Sequence, residues 1–230
     1  MVINWNSIKK SIAEMLYPCP VQSVVRQSAK EKYYNEKYPK KDIAYSARVV
    51  PTTKNNVKID VRDFFNAYDS EVRKIVEGLK LGRFSDDEKA LKCLNWVIDN
   101  IKYVGDEKKG SKEFWQFSFE TLYYMNGDCE DGAILLANML LIAGIPYWKI
   151  RLTVGMVTGG AHGYLTYYCE RKDRWVVLDW CYWTNKNKIY ERKDYKDEGN
   201  YLEVWFSWNE KYAFSKGLND KAKEILDPLK

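Results

Sequence analysis

The sequence contains a single histidine among its 230 residues, and this scarcity restricts the chemistry that the chain could perform. The residue is His162, and it lies in the segment Gly-Gly-Ala-His-Gly-Tyr. A cysteine–histidine enzyme made from this chain therefore has one candidate for its general base. Replacing that one imidazole would test any such mechanism.

The five cysteines, at positions 19, 93, 129, 169 and 181, include no C-x-x-C pair. An odd number without that spacing argues against a disulfide framework and against a structural zinc site. At most four of them could pair, so at least one thiol is free. A reducing compartment is the simplest interpretation.

Long apolar runs are also absent from the sequence. The longest run, over residues 133–145, is interrupted by Asn138 and Gly144, whereas a membrane span needs ~20 apolar residues. Lys9 and Lys10 stand where the apolar core of a signal peptide would have to run. These patterns predict a cytoplasmic protein without a membrane span, and the alternative is a virion-associated or phage-encoded protein.

The charge balance is modest, because 37 basic and 32 acidic residues leave a net charge of +5 with the two signs interspersed. Such a balance is more typical of solvated faces than of a nucleic-acid site, so we expect no nucleic-acid partner. Hydrophobic residues make up 46% of the chain and aromatic residues 15%, which is ample material for a core.

Helical patterns precede strand patterns along the chain. A helix is predicted from residue 60 to about Gly82, another after the S-x-x-E capping box of Ser85 and Glu88, and another from Cys129 to about Ala143. Beyond that point the apolar period changes from about 3.6 to about 2 residues, which is typical of strands. Helices followed by antiparallel strands indicate an α+β fold.

Three regions are predicted from these patterns. Residues 1–58 form an N-terminal extension, with a helix over 2–16 and a mixed segment after it. Residues 59–210 form one domain. Residues 211–230 form a C-terminal tail with a short helix over 221–226.

Cys129 follows the turn sequence Asn126-Gly127-Asp128, in which Asp128 is a favourable N-cap, so the cysteine is predicted to open a helix. A helix N-terminus carries partial positive charge and free N–H groups, and both favour a thiolate. The backbone N–H of Cys129 could also donate to an oxyanion. The alternative is a buried structural cysteine after a turn.

His162 and Asp179 lie on two strands that are predicted to form a hairpin. A two-residue turn between Glu170 and Arg171 would place position 162 opposite 179, and a turn shifted by one or two residues would leave them diagonal. Either arrangement could bring the carboxylate to the imidazole, as in a catalytic triad. The alternative for His162 is a structural histidine, which would be favoured without the cysteine.

Several motifs together resemble the transglutaminase-like superfamily and, within it, the bacterial transglutaminase-like cysteine proteinases. They are the segment GDCEDGA over 127–133, the turn Gly144-Ile145-Pro146, the strand over 151–153, His162, and Leu178-Asp179. The resemblance covers roughly residues 90–182. It implies a papain-like fold in which the cysteine helix packs on an antiparallel sheet.

The resemblance also implies roles for three residues. Cys129 would be the nucleophile, His162 the base and Asp179 the residue that orients the base. Many family members have a larger residue after the histidine, whereas this chain has Gly163, which would leave more room beside the base.

The function implied is a thiol-dependent acyl-transfer enzyme, a cysteine peptidase or amidase that cleaves a peptide or isopeptide bond in a protein or peptide substrate. Two alternatives stay open. The same triad could serve transglutaminase-type crosslinking, with a lysine amine as acceptor. The fold could also carry a non-catalytic binding or structural module.

Three acids, Asp128, Glu130 and Asp131, flank the cysteine and would oppose thiolate formation. Because Ca²⁺ takes several carboxylate oxygens, and because the resembled proteinases include calcium-dependent members, we expect these acids to contribute to a Ca²⁺ site. The acyl-transfer chemistry itself requires no cofactor. Trp115 and Gln116 carry N–H donors before the cysteine and are candidates for a second oxyanion donor, with a surface or capping role the alternative for Gln116.

Overall fold

A computed structural model of the chain describes residues 44–49, 56–106 and 113–215, with side chains over 59–106 and 113–213. The helices predicted over 2–16 and 221–226 lie outside the described residues. The domain boundaries at residues 58 and 210 therefore stay predictions.

The described residues form four α-helices and nine strands, joined by short 3₁₀ turns. The helices are α1 (Ser70–Gly78), α2 (Asp86–Asn100), α3 (Ser118–Tyr124) and α4 (Cys129–Ile142). The strands are β1 (Ala44–Val49), β2 (Asn56–Asp60), β3 (Lys102–Tyr103), β4 (Asn126–Gly127), β5 (Ile150–Val157), β6 (Gly160–Cys169), β7 (Arg174–Leu178), β8 (Tyr201–Trp208) and β9 (Ala213–Ser215).

The main sheet has five strands in the order β7-β6-β5-β8-β9. Every neighbouring pair in it is antiparallel. Two smaller pairings accompany it, an antiparallel one between β1 and β2 and a short parallel one between β3 and β4. The α+β class expected from the sequence is confirmed, with the helical segments before the main sheet.

Helix α4 lies between the other helices and the sheet, since it contacts α1, α2 and α3 as well as β5 and β6. Its residues from Glu130 to Leu140 are all buried, so it presents no solvated face over that stretch. A helix that is buried on every side has to lie within the core, with other elements packed around it. The helix ends before Gly144, whose φ of +84° is a conformation that glycine adopts without a steric cost.

The helix predicted from residue 60 to Gly82 is interrupted in the structure, so that prediction was wrong in its extent. A 3₁₀ turn covers Val61–Phe64, and α1 begins only at Ser70. The break is stabilised by Asp69, whose side chain accepts hydrogen bonds from the backbone N–H groups of residues 71 and 72. Apolar spacing alone does not reveal this cap, because the cap is a hydrogen bond between a polar side chain and the backbone.

The capping box of Ser85 and Glu88 is present at the start of α2, as predicted. The hairpin of β6 and β7 pairs Leu165 with Leu178 and Cys169 with Arg174, and it turns through a 3₁₀ segment over Glu170–Lys172. In that register, position 162 lies opposite 181. His162 and Asp179 are therefore diagonal neighbours, which is the second of the two arrangements considered from the sequence.

Candidate active site

Cys129 is the first residue of α4, with Asp128 as the N-cap in extended conformation. Trp180, just beyond β7, fixes the start of this helix to the sheet, because its indole Nε1 donates a hydrogen bond to the carbonyl oxygen of Cys129 at 2.9 Å. The indole lies directly over Gly132, one turn further along α4. The cysteine is thus held against the end of the strand that precedes Asp179.

His162 and Asp179 form a hydrogen bond of 2.8 Å between Nε2 and Oδ2, and each residue is only 1% exposed. Burial alone would raise the pKa of the Asp179 carboxyl, but the hydrogen bond and the charge interaction with His162 hold that pKa below its usual value. An ionised carboxylate only accepts, so His162 donates through Nε2–H. The other ring nitrogen, Nδ1, then carries the lone pair.

The Nδ1 atom of His162 is buried and has no hydrogen-bond partner among the described residues. The ring itself stacks on Tyr182, with centroids 4.4 Å apart and planes at 9°. On another side it faces Tyr164 at 5.7 Å. The stacking and the hydrogen bond thus fix the plane of the imidazole. Nε2 is hydrogen bonded to Asp179, and Nδ1 has no partner among the described residues.

The thiol of Cys129 lies beside the histidine strand, since the backbone N–H of Gly163 donates to Sγ at 3.3 Å. In this structure the thiol itself donates to Glu130 Oε2 at 3.1 Å. The room expected beside Gly163 is absent, because a Cβ added there would lie 3.0 Å from the Cβ and 3.1 Å from the Cα of Glu130. The glycine therefore allows α4 to approach the histidine strand closely.

Burial is the main cause that raises the pKa of the Cys129 thiol well above its usual value, and the negative charge of Asp128 adds to it. The hydrogen bond from Gly163 N–H acts in the opposite direction. The helix N-terminus was expected to favour the thiolate, but these two causes outweigh it. A protonated thiol needs a base before it can act as a nucleophile. The backbone N–H that contacts the sulfur belongs to Gly163, the residue directly after His162.

Residues 73–180 match the family model of the transglutaminase-like superfamily. This part of the chain is a transglutaminase-like domain. The recognition made from the sequence motifs is thereby confirmed, and the match includes Cys129, His162 and Asp179. No curated protein matches the chain.

Among solved structures, the chain is similar to LapG of Legionella pneumophila in three forms. The calcium-bound form has 17% identity and a TM-score of 0.49, and the alignment covers 71% of this chain and 90% of that one. The EGTA-treated form has 20% identity and a TM-score of 0.49, with 74% and 95% covered. A further LapG structure has 22% identity and a TM-score of 0.49, with 73% and 92% covered.

The acids of the transglutaminase-like domain divide into two sets around Cys129. Asp106, Asp128 and Asp131 are buried and have carboxylate oxygens within 4.8 Å of one another. Glu130 lies outside this trio and contacts the thiol instead. Of the three acids expected to bind Ca²⁺, the structure brings two together and adds Asp106, which the sequence reasoning missed because it precedes the cysteine by 23 residues.

Asp131 also connects the segment before the cysteine to α4. Its carboxylate accepts from the backbone N–H of Gln116 at 2.6 Å and from that of Asp128 at 3.1 Å. The Gln116 side chain is buried with its Oε1 unpartnered among the described residues. Trp115 donates its indole N–H to Glu113 and stacks on Trp208 at 5.6 Å, so this N–H is already engaged.

Two tyrosines of the site were not singled out as site residues from the sequence. Tyr201, on β8, donates its hydroxyl to Asp179 Oδ2 at 2.9 Å. Tyr182 covers the imidazole and donates its backbone N–H to Asp179 Oδ1 at 3.2 Å. The density of aromatic residues after position 180 is the one signal of them in the sequence, and it does not distinguish a site from a core.

No helix within the described residues is long and apolar enough to cross a membrane.

Proposed function

We propose that this chain is a thiol-dependent acyl-transfer enzyme, a cysteine peptidase or amidase in which Cys129 is the nucleophile, His162 the general base and Asp179 the orienting carboxylate. One observation carries the proposal. The buried hydrogen bond between His162 Nε2 and Asp179 leaves Nδ1 as an unpartnered basic atom among the described residues, and the backbone N–H of the following residue, Gly163, contacts the Cys129 sulfur.

The proposed reaction begins when His162 Nδ1 takes the thiol proton and the sulfur attacks the carbonyl carbon of a peptide or isopeptide bond. The oxyanion that forms can accept from the backbone N–H of Cys129, since the first N–H groups of a helix have no intrahelical acceptor. The imidazolium then gives its proton to the leaving amine, which departs and leaves a thioester. Water attacks the thioester while His162 takes a proton from that water. The tetrahedral intermediate then releases the acid, and the imidazolium returns its proton to the departing sulfur, which restores the thiol and the neutral base.

Proton transfer requires one local rearrangement. The thiol now donates to Glu130, so its S–H bond has to turn about the Cβ–Sγ bond of Cys129 toward Nδ1. Such rotation between staggered positions needs no backbone movement. Nδ1 has no hydrogen-bond partner among the described residues, so it is available to accept the thiol proton.

Alkylation by iodoacetamide at pH 6 tests the proposal without a known substrate, with modification at each cysteine followed by peptide mass spectrometry. We expect Cys129 to react faster than Cys93 and Cys169, which are buried and have raised pKa values for the same reason. His162→Ala should remove the difference. A Cys129 that reacts no faster than those two, or equally fast without His162, would favour a non-catalytic module of the same fold.

Hydrolysis and crosslinking share the thioester, so the acceptor must be tested separately. Incubation of the wild type with casein and a fluorescent alkylamine distinguishes the two. Cleavage without label supports the peptidase, whereas incorporation of the amine into glutamine side chains supports the transglutaminase-type alternative. Cys129→Ala serves as the blank for both readouts.

We also propose that Asp106, Asp128 and Asp131 hold a Ca²⁺ ion. Three buried carboxylates whose oxygens lie within 4.8 Å of one another fit this ion, because Ca²⁺ takes oxygen ligands and its charge would offset their repulsion. The ion would neutralise Asp128, whose charge raises the pKa of the thiol. Bound there, it would supply positive charge beside the nucleophile.

Calorimetry with CaCl₂ tests this metal site. We expect the wild type to release or absorb heat on binding, Asp106→Asn and Asp131→Ala to bind more weakly, and Asp99→Asn, which changes an exposed acid on α2, to bind like the wild type. Asp131 accepts from two backbone N–H groups and Asp106 from that of Phe114. Asp106→Asn keeps the size of the side chain and one oxygen acceptor, so it is the milder and more informative variant. An absence of heat in the wild type at millimolar Ca²⁺ would remove the proposal.

A further inference from the structure

We propose that Tyr201 is a positioning residue that holds the Asp179 carboxylate for His162, and this inference rests on the function proposed above. The Tyr201 hydroxyl donates to Asp179 Oδ2 at 2.9 Å, and the same oxygen accepts from His162 Nε2 at 2.8 Å. Tyr201 begins β8, outside the residues 73–180 that match the family model. The orientation of the Asp179 carboxylate would thus depend on a residue outside the part of the chain that matches the family model.

Each oxygen of the carboxylate accepts at least two hydrogen bonds. Oδ1 accepts from the backbone N–H groups of Cys181 at 3.0 Å and Tyr182 at 3.2 Å, and from the Cys181 thiol at 3.6 Å. Oδ2 accepts from His162 and Tyr201. The backbone hydrogen bonds hold Oδ1, and the Tyr201 hydrogen bond holds Oδ2 independently of the imidazole. Two donors on each oxygen leave little freedom for rotation about the terminal bond of the side chain.

The donor and acceptor roles are fixed by the surroundings. Burial is the largest cause that raises the pKa of Tyr201, and the charge of Asp179 raises it further, so the hydroxyl keeps its proton and donates. The same hydrogen bond contributes to the lowered pKa of Asp179. A carboxylate that stays ionised keeps the proton of His162 on Nε2 and the lone pair on Nδ1, where the proposed reaction needs it.

Tyr201 is itself held by contacts that do not involve its hydroxyl. Its backbone pairs with Val157 of β5, and its ring packs on Tyr164 at 4.6 Å and Trp183 at 5.4 Å. A phenylalanine at this position would keep those contacts. Tyr201→Phe therefore removes the hydrogen bond to Asp179 and little else.

Tyr195→Phe is a matched control. Tyr195 belongs to the same aromatic group, and its hydroxyl is hydrogen bonded to that of Tyr164 at 2.7 Å, away from Asp179. Both variants lose one phenolic hydrogen bond and the same mass. Only the variant at position 201 alters the donors of the carboxylate.

The first measurement is the rate of Cys129 alkylation by iodoacetamide as a function of pH. We expect Tyr201→Phe to lower the rate about tenfold, the scale of one hydrogen bond to a charged group. The acidic limb of the profile should move to higher pH, because Asp179 loses a donor that favours its ionised form. Tyr195→Phe should match the wild type in both respects, and equal profiles for the two variants would overturn the proposal.

The second measurement uses ¹⁵N NMR of the imidazole, which a chain with one histidine makes unambiguous. In the wild type we expect the proton on Nε2 in the neutral ring. In Tyr201→Phe we expect a mixture of the two tautomers or a faster exchange of that proton with water. An unchanged tautomer and exchange rate would show that the hydroxyl does not position the pair.

A combined variant separates positioning from structural damage. If Tyr201 acts through Asp179, adding Tyr201→Phe to Asp179→Asn should cause no further loss of Cys129 reactivity, whereas additive losses would show damage by another route and refute the inference. The proposed function fails separately. If His162→Ala reacts like the wild type, the triad is wrong, but if His162 matters and Tyr201→Phe behaves like Tyr195→Phe, only the role of Tyr201 is wrong.

Discussion

The close contact between Gly132 and Trp180 can be tested by adding a single methyl group. A Cβ at position 132 would lie 2.2 Å from Cε2 and 2.4 Å from Nε1 of Trp180. Carbon atoms in contact are normally about 3.5 Å apart or more, so the indole would have to move by over about 1 Å. That movement would also stretch its 2.9 Å hydrogen bond to the carbonyl oxygen of Cys129.

Three contributions determine how Gly132→Ala changes the free energy of unfolding relative to the wild type. Overpacking a core position costs about 1–3 kcal/mol. Loss of the indole hydrogen bond costs about 1 kcal/mol more. Alanine favours a helix over glycine by about 1 kcal/mol, which offsets part of the loss. We therefore expect the free energy of unfolding to fall by about 1–3 kcal/mol. Cys129 alkylation should also slow, by as much as about 100-fold, because a displacement of 1 Å at a reacting centre can have that effect.

Urea unfolding followed by far-ultraviolet circular dichroism measures the first effect. Gly78→Ala is the matched control, since Gly78 ends α1 and an added Cβ there would meet nothing within 4 Å. That control should equal the wild type or exceed it by up to about 1 kcal/mol. A Gly132→Ala protein at least as stable as the wild type would refute the reasoning, because helix propensity would then outweigh the supposed clash.

Two further predictions concern buried polar groups. Asn138→Leu should lower the free energy of unfolding by roughly 3 kcal/mol or more, because it strands the Asn66 N–H, the Phe64 carbonyl and the Ser118 hydroxyl that Asn138 now satisfies; an unchanged urea midpoint would contradict this. Burial raises the pKa of Glu113 to about 8, so the folded chain holds a proton that the unfolded chain has already released. In EDTA, stability should therefore decline by up to about 1.4 kcal/mol per pH unit between roughly pH 5 and 8, and Glu113→Gln should flatten that slope. A slope that persists in the variant would assign the effect to another group.

Much of the local structure followed from short-range sequence signals. The capping box at Ser85 and the turn before Cys129 are patterns whose physical cause lies within four residues, so they could be read directly. The break between Val61 and Ser70 was missed for a different reason. It depends on Asp69 and on a hydrogen bond from the backbone N–H of Asn66 to the side-chain oxygen of Asn138, 72 residues away, and the apolar period encodes neither.

The site divides in the same way. The placement of His162 and Asp179 on one hairpin was predictable because the two strands are adjacent in sequence, although the register had to be left open. Asp106 and Tyr201 could not be assigned, since each reaches the site through folding of distant segments. The rise in the pKa of the Cys129 thiol that burial causes could not be predicted either, because a helix N-terminus in a sequence does not show how deeply the residue is buried.

The place of β8 in the sheet has a consequence for any shortened form of the protein. Strand β5 pairs with β6 on one side and with β8 on the other, although β8 begins 21 residues after the family match ends. A fragment cut after Trp180 would contain Cys129, His162 and Asp179 yet expose the backbone of β5 as an open edge, which invites pairing with other chains. The edge of β5 is also open during synthesis, after Cys129, His162 and Asp179 have left the ribosome and before β8 has emerged to pair with β5. A usable fragment must therefore extend at least through β8.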